Sequence, residues 1–227
     1  MHILALDTAL TACSVAVLDL EADSVVAGDS VFMERGHAEA LVPMVEQVLR
    51  DARLTFQQIG RIAVTVGPGS FTGLRVGLSA ARGFALATGS PAVGVTTLAA
   101  LAAPFLAYDD SLPVLAAIDA RHGHVFLQMF GTGGRTLIAP RIASTREAAR
   151  AAAMGSVRLV GSGAALVAEA WPPGEQPPVS CDALAAPDVA WIARLGAAAD
   201  PATAEPKPLY LCAPDAKPQD GARIARV

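Results

Sequence analysis

The sequence predicts an α/β protein in two related halves, each a mixed sheet with helices on its faces. Three observations lead there. Apolar, β-branched runs alternate with helical patterns in the order βββαβαβα between His2 and Ala107. An apolar strand that ends in aspartate and turns at once occurs twice, as HILALD at His2–Asp7 and PVLAAID at Pro113–Asp119. Between the two lies GPGSFTGLRVG, Gly67–Gly77, where a buried strand passes through a glycine turn into a helix.

The elements follow in order. His2–Leu6 is a short apolar strand ending at Asp7. Ala12–Leu20 and Ser24–Met33, separated by the turn residues Glu21–Asp23, complete an antiparallel meander. In His37–Arg53 the residues Leu41, Met44, Val45, Val48, Leu49 and Ala52 keep the i, i+3, i+4 spacing of one buried helix face, and Val42 lies off to its side. Pro43 is tolerated near the first turn. Arg61–Val66 reads as a buried strand and Ser70–Gly89 as a helix. Pro91–Val95 is a further strand and Leu98–Ala107 a further helix.

The second half starts the same way. Pro113–Asp119 leads through a hairpin into His124–Gly131, followed by a strand around Thr136–Ile142 and a helix at Ser144–Ala153 with Ser144 as its N-cap. A strand at Arg158–Val160 closes on Gly161-Ser162-Gly163. The repeat of about 110 residues is too long for a solenoid, so it indicates two related subdomains, 1–109 and 110–212. After Gly163 the copy degenerates into the proline-rich WPPGEQPP of Trp171–Pro178, one helix at Pro187–Ala199 and a tail, with 213–227 expected to be flexible.

Composition excludes several classes. Hydrophobic residues make up 53% of the 227, enough for a core. With 17 basic against 21 acidic residues, the chain is not built to hold nucleic acid by its own charge. Cys13, Cys181 and Cys212 suggest neither a disulfide framework nor a zinc knuckle, and a reducing cytoplasm fits. The start, MHILALDTAL, lacks the basic region of a signal peptide. Gly83–Tyr108 is uncharged and long enough to span a bilayer, but its glycines, prolines and paired threonines argue for a helix end, a strand and a second helix.

Candidate chemistry is sparse. The turn from Gly67 to Ser70 leaves free amides at a positive helix end, suited to an anion or simply a tight turn; its spacing matches neither GxxxxGK[ST] nor GxGxxG. Gly69, Gly73, Gly77 and Ala81 recur every four residues and clear a helix stripe for close approach, either of the protein's own sheet or of a partner's helix. Asp7 and Asp119 could hold a magnesium nucleotide across a cleft or cap their hairpin turns. His37 and Glu39 do not share a helix face, and His122 and His124 lack a third ligand nearby. Ser70, Thr72 and Ser79 have no nucleophile elbow or base. Arg75 and Arg82 share a face with Ser79, either gripping an anion or forming the wet edge of the helix.

Five stretches together resemble the TsaB (YeaZ) family of bacterial tRNA threonylcarbamoyladenosine biosynthesis proteins. They are ILALDTA at Ile3–Ala9, His37 with Leu41-x-Pro43, GPGSFTGLRVG, DARHGHVF at Asp119–Phe126, and PLYL at Pro208–Leu211. The resemblance implies an actin-like, sugar-kinase-like fold of two RNase H-like halves. It also implies a cytoplasmic, non-catalytic scaffold that binds the related transferase TsaD, which moves threonylcarbamoyl from its adenylate onto adenosine 37 of tRNA. A small ATPase, TsaE, joins the pair. The transferase carries a metal-binding HxxxH where this chain has Thr97 and Leu101.

In the family the partner surface lies on helices matching His37–Arg53 and Ser70–Gly89. That assigns Leu41, Met44, Val45, Val48, Gly69, Gly73, Gly77 and Ala81 to partner binding, and Asp7, Gly67, Ser70 and Arg75 to a nucleotide or anion contact at the interface. No cofactor is expected on the chain alone, with ATP or ADP only at the surface shared with the partner. A homodimer is expected in isolation, contact with tRNA only through the complex, and none with a membrane. Two departures stand out: Cys212 replaces the arginine usual after PLYL, and the second half is short of helices after Gly163. The alternative is an actin-like-fold enzyme, a small-molecule kinase or a glycoprotease-like metallopeptidase.

Overall fold

The computed structural model describes residues 1–212. Its first sheet contains β1 (His2–Asp7), β2 (Ala12–Asp19), β3 (Ser24–Phe32), β4 (Ile59–Gly67) and β5 (Ala92–Thr96), in the order β3-β2-β1-β4-β5. The meander strands are antiparallel, and β1, β4 and β5 are parallel, with Leu4 opposite Val17 on one side and Ile62 on the other. The second sheet repeats the plan with β6 (Val114–Asp119), β7 (His124–Phe130), β8 (Thr136–Ser144), β9 (Arg158–Val160) and β10 (Ser180–Asp182), in the order β10-β9-β6-β7-β8. Two sheets of one topology, each opened by an Asp-terminated strand, are the physical form of the duplicated sequence pattern.

Period-2 alternation sorts β1 onto two cores. Leu4 and Leu6 point to one face and pack with Val15, Val17 and Val64 under α1 (His37–Asp51) and α2 (Phe71–Thr88). Ile3 and Ala5 point to the other face, where Ala63 and Val93 meet Ile192 and Ala193 of α6 (Val189–Ala198). In the second half α4 (Thr145–Ala152) and α5 (Ala164–Glu169) cover the face carrying Leu115, Leu127 and Leu159. The other face, with Val114, Ala116 and Ile118, packs against Leu98 and Leu101 of α3 (Thr97–Tyr108). Ser144 caps α4 as expected, within a reciprocal bond pattern with Glu147.

Two expectations need correction. A division after residue 109 separates the sheets but not the packing, because α6 returns to the first sheet. Gly196 of α6 sits so near β4 that a Cβ there would lie 2.3 Å from the Ala63 side chain. Behind it, residues 204–209 form a strap on the same sheet, with bonds from the Gly94 amide to the Ala204 carbonyl (2.8 Å) and from the Leu209 amide to the Val66 carbonyl (2.7 Å). The second half also has a helix directly after Gly163, α5. The expected tail, 213–227, lies outside the described residues. Among those described, no helix is long and apolar enough to cross a membrane.

Candidate functional site

The glycine stripe of α2 faces inward. The chain leaves β4 through Gly67 (φ +108) and enters α2 at Ser70, whose Oγ accepts from the Gly73 amide. A Cβ would fall 2.3 Å from the Ala9 carbonyl oxygen at Gly69, 2.0 Å from that of Thr8 at Gly73, and 2.5 Å from Thr8 Oγ1 at Gly77. The Thr8 hydroxyl donates to the Gly73 carbonyl (2.7 Å), and the Ser70 amide to the Ala9 carbonyl (2.7 Å). The stripe therefore exists so that α2 can lie against the β1–β2 turn. Ala81 is also fully buried, and Leu41, Met44, Val45 and Val48 belong to the core beneath α1. Most of this set is occupied within the fold rather than presented to a partner; Leu41 also reaches a groove on the surface of α1 and α2, and Gly69 lines the cleft between the sheets.

That groove lies between the outer faces of α1 and α2. It is a shallow cavity of about 460 Å3, with Ala38, Leu41 and Val42 on one side and Val76 and Ala80 on the other, and with Thr72, Arg75 and Ser79 at the rim. Val42 is 45% exposed although apolar. Its position off the buried stripe of α1 was the sequence signal for this surface, and on α2 Val76 and Ala80 follow Gly73 and Gly77 by three residues and so flank the glycine stripe on the side that meets α1.

A second concavity, about 690 Å3, opens between the two sheets. The first half contributes Leu10, Arg35, His37, Ser70 and Phe71, and the second Asp119, Arg121, Phe126 and Ser162. Asp7 does not line it. Its Oδ1 accepts from the Ala9 amide (3.0 Å) and the Thr65 hydroxyl (2.6 Å), while Oδ2 is buried with no hydrogen-bond partner among the described residues. Burial pushes the carboxyl above its ordinary value, against the lowering effect of Thr65, Ala9 and nearby His37. Asp119 does line the cleft, and its Oδ1 accepts from the Arg121 amide (2.7 Å). Each aspartate thus caps the turn two residues on, and of the two carboxylates only that of Asp119 faces the cleft.

The expected anion contacts also separate. Gly67 is closed off by the strap, since a Cβ there would lie 2.9 Å from the Leu209 carbonyl oxygen. Arg75 turns toward the α1–α2 groove, and of the four residues only Ser70 reaches the cleft. His37 Nε2 is bonded to the Leu10 carbonyl (3.2 Å), and His124 Nδ1 to the carbonyl of His122 (3.0 Å). Among the described residues no three His, Cys, Asp or Glu side chains gather as a metal-holding group. Thr97 and Leu101 are fully buried on α3.

Known proteins share this architecture. The family model described as TsaD, tRNA N6-adenosine threonylcarbamoyltransferase, matches residues 31–165. The tRNA threonylcarbamoyladenosine biosynthesis protein TsaB of Escherichia coli (strain K12) is 40% identical over 126 residues, 56% of this chain and 53% of that protein. The Bacillus subtilis (strain 168) TsaB is 32% identical over 130 residues, 57% of this chain and 55% of that protein. The chain thus spans about half the length of the curated relatives it matches. The solved structure of YeaZ from Pseudomonas aeruginosa superposes with a TM-score of 0.78 at 30% identity, covering 92% of this chain and 99% of that one. A ROK hexokinase from Thermus thermophilus shares the fold alone, with a TM-score of 0.50 at 17% identity over 87% of this chain and 99% of that one. The duplicated mixed sheets are those of the actin-like class, and the match over nearly all of YeaZ places the chain in the TsaB (YeaZ) family.

Proposed function

We propose that this chain is a non-catalytic subunit in the formation of N6-threonylcarbamoyladenosine at position 37 of tRNA, and that it docks a TsaD-type transferase through the α1–α2 groove. The observation that carries the reading is that exposed apolar groove. The inward faces of both helices are consumed by the fold; Val42 stays 45% exposed with no place in the core, and Val76 and Ala80, half-buried at the core's edge, turn the rest of their apolar surface into the groove. The non-catalytic part is supported by the sealing of Asp7 away from the cleft and by the burial of Thr97 and Leu101, where the transferase carries metal ligands.

The same groove joins two copies of the chain when the transferase is absent. A TsaE-type ATPase joins the assembly, and ATP or ADP binds at a shared surface rather than to this chain alone. The tRNA is reached through the partner, in keeping with 17 basic against 21 acidic residues, and the setting is the cytoplasm.

Light scattering after size exclusion tests this, with the protein alone and mixed with its transferase, for wild type and Val42→Glu. The expected result is a homodimer that exchanges into a heterodimer, both lost in Val42→Glu without a change in unfolding midpoint. A wild-type mass unchanged by the transferase overturns the reading. Tight ATP binding by the isolated chain would favour the kinase alternative.

A further inference from the structure

The α1–α2 groove has an apolar floor and one charged side chain among its lining, Arg75, which stands at the rim beside the hydroxyls of Thr72 and Ser79. Arg75 is exposed, forms no salt bridge with any described residue, and holds its guanidinium 3.8 Å above the centre of the Phe71 ring. Phe71 is itself held, because Tyr210 rests against it with ring centres 5.2 Å apart. Tyr210 owes its place to the strap, whose preceding residue, Leu209, bonds β4 through the Val66 carbonyl (2.7 Å). A long, rotamer-rich side chain at an open rim is thus fixed by a chain of contacts that begins at the first sheet.

Stacking of this kind lowers the entropy lost when the guanidinium makes hydrogen bonds, and it leaves the planar N–H fork free. Covering the groove would strip water from Arg75, and a desolvated cation is costly unless an anion receives it. We propose that Arg75 is the polar anchor of the groove, receiving a carboxylate from the docking helix of the transferase, and that Phe71 and Tyr210 are its positioning residues. The partner face is accordingly apolar with one acidic side chain set to meet Arg75. The proposal rests on the docking reading above.

The test is transferase binding in nucleotide-free buffer across a salt series, for wild type, Arg75→Gln, Arg75→Lys, Phe71→Leu and Val42→Glu. Arg75→Gln should weaken binding at least tenfold and flatten the salt dependence. Arg75→Lys should fail to restore it, because an ammonium lacks the bidentate fork. Phe71→Leu should weaken binding less and leave the salt slope in place. If Val42→Glu abolishes binding while Arg75→Gln leaves affinity and salt slope unchanged, the anchor is refuted and the docking surface stands. A loss with Arg75→Gln that appears only on adding ATP also refutes it, since the anion would then be a phosphate. If wild type does not bind, or Val42→Glu binds normally, both readings fall.

Discussion

Replacing Gly73 with alanine should destabilise the protein, although alanine is the better helix former. In an open helix position the exchange is favourable by about 1 kcal/mol. At Gly73 the new Cβ would sit 2.0 Å from the Thr8 carbonyl oxygen, a backbone atom that cannot swing aside. The helix must back away from the β1–β2 turn, at an overpacking cost of about 1–3 kcal/mol. The same movement stretches the buried bond from the Thr8 hydroxyl to the Gly73 carbonyl, with a further penalty of about 1–3 kcal/mol for groups left unsatisfied. The net loss is about 3 kcal/mol, which for a domain of this size lowers Tm by about 6–12 °C.

Gly83 provides a control within α2, since a Cβ built there meets nothing within 4 Å, and Gly83→Ala should stabilise by up to about 1 kcal/mol. Urea and thermal unfolding followed by circular dichroism would measure both variants. If the two change stability with the same sign, or if Gly73→Ala raises Tm, the inward orientation of the stripe is wrong.

Further expectations concern titration and capping. Because burial raises the Asp7 pKa in the folded state, its contribution to stability is present below the unfolded value of 3.8 and is lost as pH rises through the folded value. The unfolding free energy of wild type relative to Asp7→Asn should therefore fall as pH rises above 3.8; a flat difference would refute the raised value. Asp109 runs the other way. The Ser111 hydroxyl and amide, with the Arg158 guanidinium, hold its carboxyl at about 2, so its contribution is present above 3.8 and lost as pH falls through about 2. Asp109→Asn should destabilise at neutral pH and lose that effect at the acid end of a denaturation series. Ser144→Ala removes an acceptor for the Glu147 amide and should cost about 1 kcal/mol, read as a fall in Tm of about 2–4 °C.

Elements whose pattern is local were legible in the sequence. The unbroken apolar run at His2–Leu6 marked β1 as a strand ending at Asp7, and its echo in Pro113–Asp119 announced the second sheet. Ser144 as N-cap signalled the start of α4, and the structure adds its reciprocal bonds with Glu147. Spacing alone does not carry the identity of what packs on a face. Gly69, Gly73 and Gly77 announced a close approach, but only the fold supplies the carbonyls of Thr8 and Ala9 that make it. The helix at Pro187–Ala199 was visible as a helix, but nothing local showed that its Ile192 and Ala193 would pack on the first sheet, far back in the chain. Short elements such as β10 at Ser180–Asp182 and α5 at Ala164–Glu169 hold too few residues to display a period. For the candidate site, Val42 was visible as an apolar residue off the buried stripe, whereas the sealing of Asp7 depends on Thr65, distant in sequence.

The most direct measurement is a thiol footprint of the groove. Ser79→Cys, at the exposed rim of α2, and Met154→Cys, 89% exposed in the second half, would each be treated with maleimide with and without the transferase, and labelling read on the peptide containing the new thiol. The account predicts that the transferase shields position 79 and leaves 154 as reactive as before. Undiminished labelling at 79 in a mixture shown to form the complex would contradict it and place the partner on another face.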